Sequence, residues 1–371
     1  EEPNTTCVCE GQVKYAWPPC FQDWELKRTP SHMTSSPKTS FPYERRAFPR
    51  VAIASSLKIS DCVGQTVNVS EEGLSFLFDQ HILNGPFTAG FQLNSETVKA
   101  NFEPVWQKSS RSSANTYGIR FVKLTEEKRL LLRRLLFSTK IEPLLKSIAR
   151  DKDRESVRRF FLEDVYSYFT DMQELIGGVE SNRVNLTDAT LGLTRLTDKV
   201  LAKGDDLDSN LSDKEVLKSV KAVFRELASP WAYKGLVVKR AHDKPRGYPG
   251  DYLLLEAIYD NKTSSSGIGI CSDRYFLNNS YSVAVRNRLS KFKEILKDFI
   301  RRSHVKDEVR ILNIACGSIR ELRDLLVEES QLFEDRPIHI TCFDQDEEAL
   351  DFDRQKLQGL NDNLVFEFVQ G

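Results

Sequence analysis

Arg45, Arg46 and Arg50 bracket Ala47-Phe48-Pro49 and place three guanidinium groups in one short segment. A guanidinium fork can grip a phosphate through paired N–H bonds, meet the O6/N7 edge of guanine, or stack on a purine face. Pro49 stiffens the segment and limits the entropy lost when it closes on a ligand. Asn68 and Ser70 stand two apart, a spacing that on a strand offers an amide and a hydroxyl to the same side. Gly73 then permits a backbone turn that a side chain would block. Taken singly, each group has an ordinary reading. Three arginines can be a solvated basic cluster, and Asn-x-Ser-x-x-Gly is common turn chemistry.

The elements that must position these groups are short strands. From Phe41 to Lys140 the hydrophobic period is mostly two, clearest at 51–59, 74–78, 98–102 and 117–122, with turn residues at 84–86 and 109–115. From Glu126 to Leu136 the spacing turns helical, with Leu130, Leu131, Leu135 and Leu136 along one stripe. Short strands closed by a helix predict a small antiparallel β-barrel over residues 41–140. On this pattern the two polar groups resemble the paired signature of the PilZ domain, Arg-x-x-x-Arg followed by (Asp/Asn)-x-Ser-x-x-Gly. Gly118-Ile-Arg-Phe121 fits the last strand of that family. The resemblance implies a bacterial receptor for cyclic di-GMP, with Arg45, Arg46, Arg50, Asn68, Ser70 and Gly73 as the ligand site.

Residues 141–240 carry few β runs and are expected to form a helical linker or bundle. Val157, Phe160, Phe161, Val165, Tyr168, Phe169, Met172 and Ile176 recur at helical spacing, with Gly177-Gly178 as the expected stop. Val216, Val220, Val223, Phe224 and Leu227 predict a second helix ending before Pro230. Lys203–Asn210 is expected to be an acidic loop, without the glycine and glutamate of a calcium loop.

Residues 241–371 hold a second polar cluster, Lys244-Pro-Arg-Gly-Tyr-Pro-Gly-Asp-Tyr252. Arg246, Tyr248, Gly250 and Asp251 could contact a substrate or cofactor; equally, Asp251 could cap a helix over 252–259. Arg286-Asn-Arg288 opens a helix with Leu289, Phe292, Leu296, Phe299 and Ile300 as its stripe, and its arginines face either the same pocket or water. Three strands (309–314, buried; 338–343; 364–369) alternate with helices at 321–328 and 347–357. That order predicts part of a parallel, doubly wound α/β sheet with its ligand at the carboxyl ends of the strands, beside Cys316-Gly317 and Asp344.

This half resembles the start of a class I S-adenosylmethionine-dependent methyltransferase, a Rossmann-like fold. Gly317 matches the central glycine of the first motif and Asp344 the ribose-binding acid; Asn313 stands at the leading acid, Ala315 and Ile319 at the flanking glycines. With Arg-Gly-Tyr-Pro-Gly-Asp and Arg-Asn-Arg, it is similar to a bacterial subgroup associated with 3-hydroxypalmitic acid methyl ester synthesis. The resemblance implies that Asn313, Ala315, Gly317 and Asp344 hold S-adenosylmethionine, with an oxygen nucleophile, such as a 3-hydroxy fatty acid carboxylate, as methyl acceptor. Because the chain stops after a third strand, the unit is expected to be truncated and catalytically incomplete, its apolar first strand an unpaired edge. The combined expectation is a cyclic di-GMP receptor fused to a methyltransferase; the alternative is an adaptor protein whose degenerate sheet does no chemistry.

Composition sets the outer limits. A chain of 371 residues exceeds the usual single core, and 40% hydrophobic with 29% charged residues is ordinary globular usage. A net charge of −1 disfavours nucleic acid as a partner, and no apolar run is long enough to span a membrane. Cys62, Cys271, Cys316 and Cys342 are scattered singly and read as reduced core residues of a cytoplasmic protein. Cys7, Cys9 and Cys20 match no zinc spacing, so no metal site is expected. Ser31-His32-Met33 resembles a cloning scar, and residues 1–40 are read as a vector-derived or flexible leader outside the functional argument.

Overall fold

The computed structural model describes residues 51–80, 85–93, 96–108, 115–303, 308–334, 337–359 and 364–371. Arg45, Arg46, Arg50, Cys7, Cys9, Cys20 and the turn residues at 84 and 109–114 lie outside the described residues. The rest falls into two compact units. One runs through Arg183 and includes Gly192–Trp231; the other comprises Val184–Leu191 and Ala232–Gly371.

The first unit begins with seven antiparallel strands: β1 (Val51–Ala52), β2 (Ser56–Ile59), β3 (Cys62–Val69), β4 (Gly73–Phe78), β5 (Phe87–Leu93), β6 (Glu96–Lys108) and β7 (Asn115–Val122). Strands β2-β3-β4 and β5-β6-β7 are two meanders, joined by β2–β5 on one side and β4–β7 on the other, which closes a six-stranded barrel. Alternation sends Leu57, Val69, Leu74, Phe76, Phe91, Phe102, Tyr117 and Ile119 inward, where all are buried. Phe102 lies 4.7 Å from Phe121, and Phe76 stacks on Tyr117 at 5.6 Å between centroids. Each buried phenylalanine contributes about 2–3 kcal/mol from area alone.

The expected strand 51–59 is broken in two. Buried Thr66 inserts its hydroxyl into the ladder, accepting from Ser55 N–H (2.8 Å) and donating to Ile53 O (2.6 Å). Phe87–Leu93, absent from the expected runs, is a full strand with Phe91 and Leu93 in the core.

Helix α1 (Glu126–Ser147) continues well past Leu136, and its inward face is Leu132, Leu136, Phe137, Ile141, Leu144 and Leu145; Leu130 and Leu131 are exposed, contrary to the expected stripe. Then come α2 (Asp151–Arg159), a π turn (Phe160–Val165), α3 (Tyr166–Glu180), α4 (Leu186–Asn210) and α5 (Lys214–Ala232). Phe137, Phe161, Phe169 and Trp231 form one aromatic core, with Phe137 5.5 Å and Trp231 4.7 Å from Phe169.

Three local expectations fail here. The helix runs through Gly177-Gly178 to Ser181, whose N–H bonds Gly177 O, and Gly178 is buried. The acidic run 203–210 is helical, because Leu193, Val200 and Leu207, seven apart, are all buried and carry the helix through it. Pro230 lies inside α5, and the Glu226 carbonyl that it cannot bond accepts from the Ser229 hydroxyl at 2.8 Å.

The second unit contains α6 (Leu236–Asp243), α7 (Tyr252–Asp260), α8 (Ile268–Asn278), α9 (Ser280–Arg302), β8 (Val309–Ile314), α10 (Arg320–Glu328), β9 (Ile338–Asp344), α11 (Glu347–Leu357) and β10 (Leu364–Gln370). The three strands are parallel in the order β10-β9-β8. Their core is Ile300, Val309, Leu322, Leu325, Phe333, Ile338, Ile340, Cys342 and Leu350. Strand β8 is not buried on both faces as expected: Leu312 and Ile314 are 63% and 66% exposed. On α9 the buried face is Val285, Leu296 and Ile300, while Phe292 and Phe299 are exposed. Buried Asp273 holds the helices together, accepting from Val237 and Val238 N–H and from the Thr263 and Ser265 hydroxyls.

Candidate functional site

The β3–β4 turn is built around Ser70. Its N–H and its hydroxyl both donate to Gly73 O, at 2.8 and 3.0 Å, so the side chain is buried and fixed in the turn. Strand β3 ends at Val69, and Ser70 therefore does not share a strand face with Asn68 as the spacing suggested. A bulge between Thr66 and Asn68 re-aims the end of the strand. The Asn68 Oδ1 atom is buried with no hydrogen-bond partner among the described residues. An orphaned acceptor of this kind carries a desolvation cost of about 1–3 kcal/mol until a donor reaches it.

Gly73 is needed for a reason the sequence did not reveal. Its backbone is not left-handed; rather, a Cβ there would lie 2.1 Å from Ile119 O on β7. Strand β1 pairs Val51 with Val69 and Ala52 with Asn68, so the chain that follows Arg50 in sequence runs beside Asn68.

Cross-strand register places Asn68, Ser75, Gly118 and Trp106 in one row, on the side of the barrel wall opposite the core residues. Trp106 is 41% exposed, and its ring covers Gly118 so closely that a Cβ there would fall 2.2 Å from the indole. Sequence reading missed Trp106. Its only trace was a glycine in Gly118-Ile-Arg-Phe121 opposite a tryptophan, which becomes informative once the β6–β7 register is known.

In the second unit the cluster 244–252 lies at the carboxyl end of β9. Arg246 forms an ion pair with buried Asp346 (Nε–Oδ2 2.8 Å) and also meets Glu348, while the Tyr248 hydroxyl donates to Asp346 at 2.8 Å. The Arg246 bonds hold the Asp346 carboxyl below its usual range, and burial beside that carboxylate raises the Tyr248 phenol. Asp346 was not singled out in the sequence; its signal is Asp344-Gln345-Asp346 at a strand end. Asp251 caps α7 by accepting from Leu253 and Leu254 N–H and pairs with Arg240. Gly250 takes a left-handed φ of 73°. Arg286 donates to the carbonyls of Leu277 and Ile258 at helix ends and so serves neither of the two expected faces.

Asp344 is buried, and its oxygens accept from Gly317 N–H (2.8 Å) and Asp346 N–H (2.9 Å). Asn313 donates to Glu321 at 3.1 Å. Ala315, Gly317 and Ile319 have φ of 55°, 60° and 35°, three alternate left-handed residues of which two are not glycine. Beneath the turn, Asp353 is fully buried with one oxygen unpartnered among the described residues, and burial raises its carboxyl to about 9. A hydrogen bond with Cys342 and burial raise the Cys316 thiol; Cys271, Cys316 and Cys342 are buried free thiols, whereas Cys62 is half-exposed against Gln80.

A closed antiparallel barrel with an Asn-x-Ser-x-x-Gly turn and a following helix defines a class of small β-barrel domain. Residues 44–138 match the family model of the PilZ domain, and the chain carries that domain. Among solved structures it is similar to an inhibitor of motility (MotI/DgrA) from Bacillus subtilis, at 12% identity and a TM-score of 0.24, over 28% of this chain and 53% of that one. It is also similar to the PilZ domain of CeSA from a cellulose-synthesizing bacterium, at 14% identity and a TM-score of 0.20, over 24% of this chain and 96% of that one. This chain thus spans about half the length of the first. No curated protein matches it. Among the described residues no helix is long and apolar enough to cross a membrane.

Proposed function

We propose that the barrel is a receptor for cyclic di-GMP. The observation that carries this reading is the signature turn of a PilZ domain, in which Ser70 is locked by Gly73 and the buried Asn68 acceptor has no partner among the described residues. Guanine presents N–H donors on its Watson–Crick edge, which suits the Asn68 acceptor, while Arg45, Arg46 and Arg50 supply cationic forks for the ligand's phosphates and for the O6/N7 edges of its guanines. Trp106 adds an exposed face on which a purine can stack. Calorimetric titration with cyclic di-GMP tests the reading. The wild-type chain should give saturable heat, and Arg46→Ala with Arg50→Ala should abolish it; absence of heat from the wild type removes the proposal.

A second reading concerns the parallel sheet, and the left-handed backbone at 315, 317 and 319 favours it. Those are the three glycine positions of the nucleoside-binding turn that the sequence resembles, and non-glycine residues hold such a conformation only under strain. Gly317 fits a nucleoside, since a Cβ there would meet nothing closer than Leu255 at 4.0 Å. Asp344, though bonded to two backbone N–H groups, keeps lone pairs for ribose hydroxyls. S-adenosylmethionine, when bound, supplies an electrophilic methyl group. Asn313, Ala315, Gly317 and Asp344 would hold it, and the acceptor implied by the resemblance is a 3-hydroxy fatty acid. Calorimetry with S-adenosylhomocysteine should give heat that Asp344→Asn weakens; a silent wild type would leave the sheet an adaptor's scaffold.

A further inference from the structure

The two variable positions between Ser70 and Gly73, Glu71 and Glu72, belong to no ligand site named above. Glu71 does not face water. Its carboxylate forms an ion pair with Arg133 of α1, the two side chains being only 11% and 9% exposed. Arg133 Nη2 reaches the second oxygen at 3.4 Å, and Gln173 Nε2 of α3 donates to that same oxygen at 3.2 Å. The Gln173 carbonyl oxygen is buried without a partner among the described residues, so α3 spends an unsatisfied acceptor to keep its amide on Glu71. Tyr166, at the junction of the π turn and α3, lies close enough to sense both charges; burial raises its phenol, with Arg133 and Glu71 acting in opposite directions. Helix α1 also packs on β1, the strand that follows Arg50 in sequence.

We infer that Glu71, Arg133 and Gln173 form a clamp that transmits occupancy of the Asn68–Gly73 turn to helices α1 and α3. The inference rests on the cyclic di-GMP reading and deepens it. Ser70, already tied to Gly73, links Asn68 to Glu71 within three residues, so a ligand that fixes Asn68 narrows the positions open to Glu71. Buried ion pairs tolerate little displacement, because either charge left alone is strongly penalised. Ligand and helix order are therefore linked reciprocally, and tightening one end of the clamp tightens the other. Arg133 and Gln173 are positioning residues that do not touch the ligand.

Hydrogen exchange, followed with calorimetry on the same samples of the full chain, tests this. Saturating cyclic di-GMP should slow exchange at Leu132–Phe137 and at Phe169–Ile176 by at least about fivefold, the lower end of ordinary coupling. In Glu71→Gln the heat of binding should persist while the slowing falls below about twofold. Gln173→Met leaves the Arg133–Glu71 pair intact; it should lose the slowing in α3 and keep it in α1, which separates coupling from general loosening. Heat without helix slowing in the wild type, or slowing that survives Glu71→Gln, overturns the clamp but leaves the receptor reading standing. No heat in the wild type overturns both.

Discussion

The turn at Asn68–Gly73 and the turn at Asn313–Ile319 use glycine in opposite ways. In the barrel, Gly73 has an unexceptional φ and is required because β7 passes 2.1 Å from where a Cβ would sit. In the parallel sheet, the backbone itself is left-handed at three positions, yet two of them hold Ala315 and Ile319. One turn matches its sequence signature and has no room for a side chain at its glycine; the other takes left-handed backbone at two positions that hold no glycine. A glycine in a sequence and a left-handed turn in a backbone are thus separate kinds of information.

That contrast can be broken most severely at Gly73. Gly73→Ala forces a methyl into the Ile119 carbonyl and should destabilise the barrel by about 3 kcal/mol or more, as overpacking against rigid backbone does. Thermal unfolding measures it, and a midpoint within about 2 °C of the wild type would contradict the argument.

The second-largest effect is at Asp353, packed beneath the other turn. Its folded carboxyl is raised to about 9, so from about pH 4 the folded state holds a proton that the unfolded state has released. Stability of the second unit should be greatest below that window and fall as pH rises through it towards about 9. Asp353→Asn should flatten the slope in pH-dependent denaturation, and an unchanged slope would show that other groups set it.

Smaller still is Trp106→Ala, expected to weaken cyclic di-GMP about tenfold through loss of stacking; calorimetric affinity equal to the wild type would take Trp106 out of the site. The smallest change is the mirror of the first. Ala315→Gly removes the left-handed penalty at an exposed position and should leave stability unchanged or raise it by up to about 1 kcal/mol. Measured loss of stability by denaturant unfolding would mean that the strain is not where the backbone angles put it.

The barrel was legible because its alternation of polar and apolar residues is dense, and the Asn68–Gly73 signature lies on it. The parallel strands were legible for the same reason, as were α10 and α11. Helix ends were not. Gly177-Gly178 and Pro230 are stop signals locally, but burial of Gly178 and Trp231 outweighs them, and the Ser229 hydroxyl covers the bond that Pro230 forfeits. The run 203–210 looked like a loop by composition because its single buried leucine, Leu207, belongs to a stripe that begins two heptads earlier, at Leu193. At the site, Trp106 and Glu71 were hidden for another reason. Their roles come from cross-strand register and from helices far along the chain, neither of which local spacing encodes. The bonds from the Gly317 and Asp346 amides to Asp344 were not legible either, because they depend on how two separate turns fold back on the strand end.

The barrel's two meanders have a consequence for how the chain folds. The signature hairpin, β3 to β4, closes over three residues, whereas the β4–β7 seam joins Gly73 to Arg120 across most of the domain. Loop closure disfavours the distant pairing until local hairpins exist, so the signature turn can form early and the seam late. Gly73 meets its steric limit only at that late step. A bulkier residue there would let the first hairpin assemble and stall the chain before the cylinder shuts.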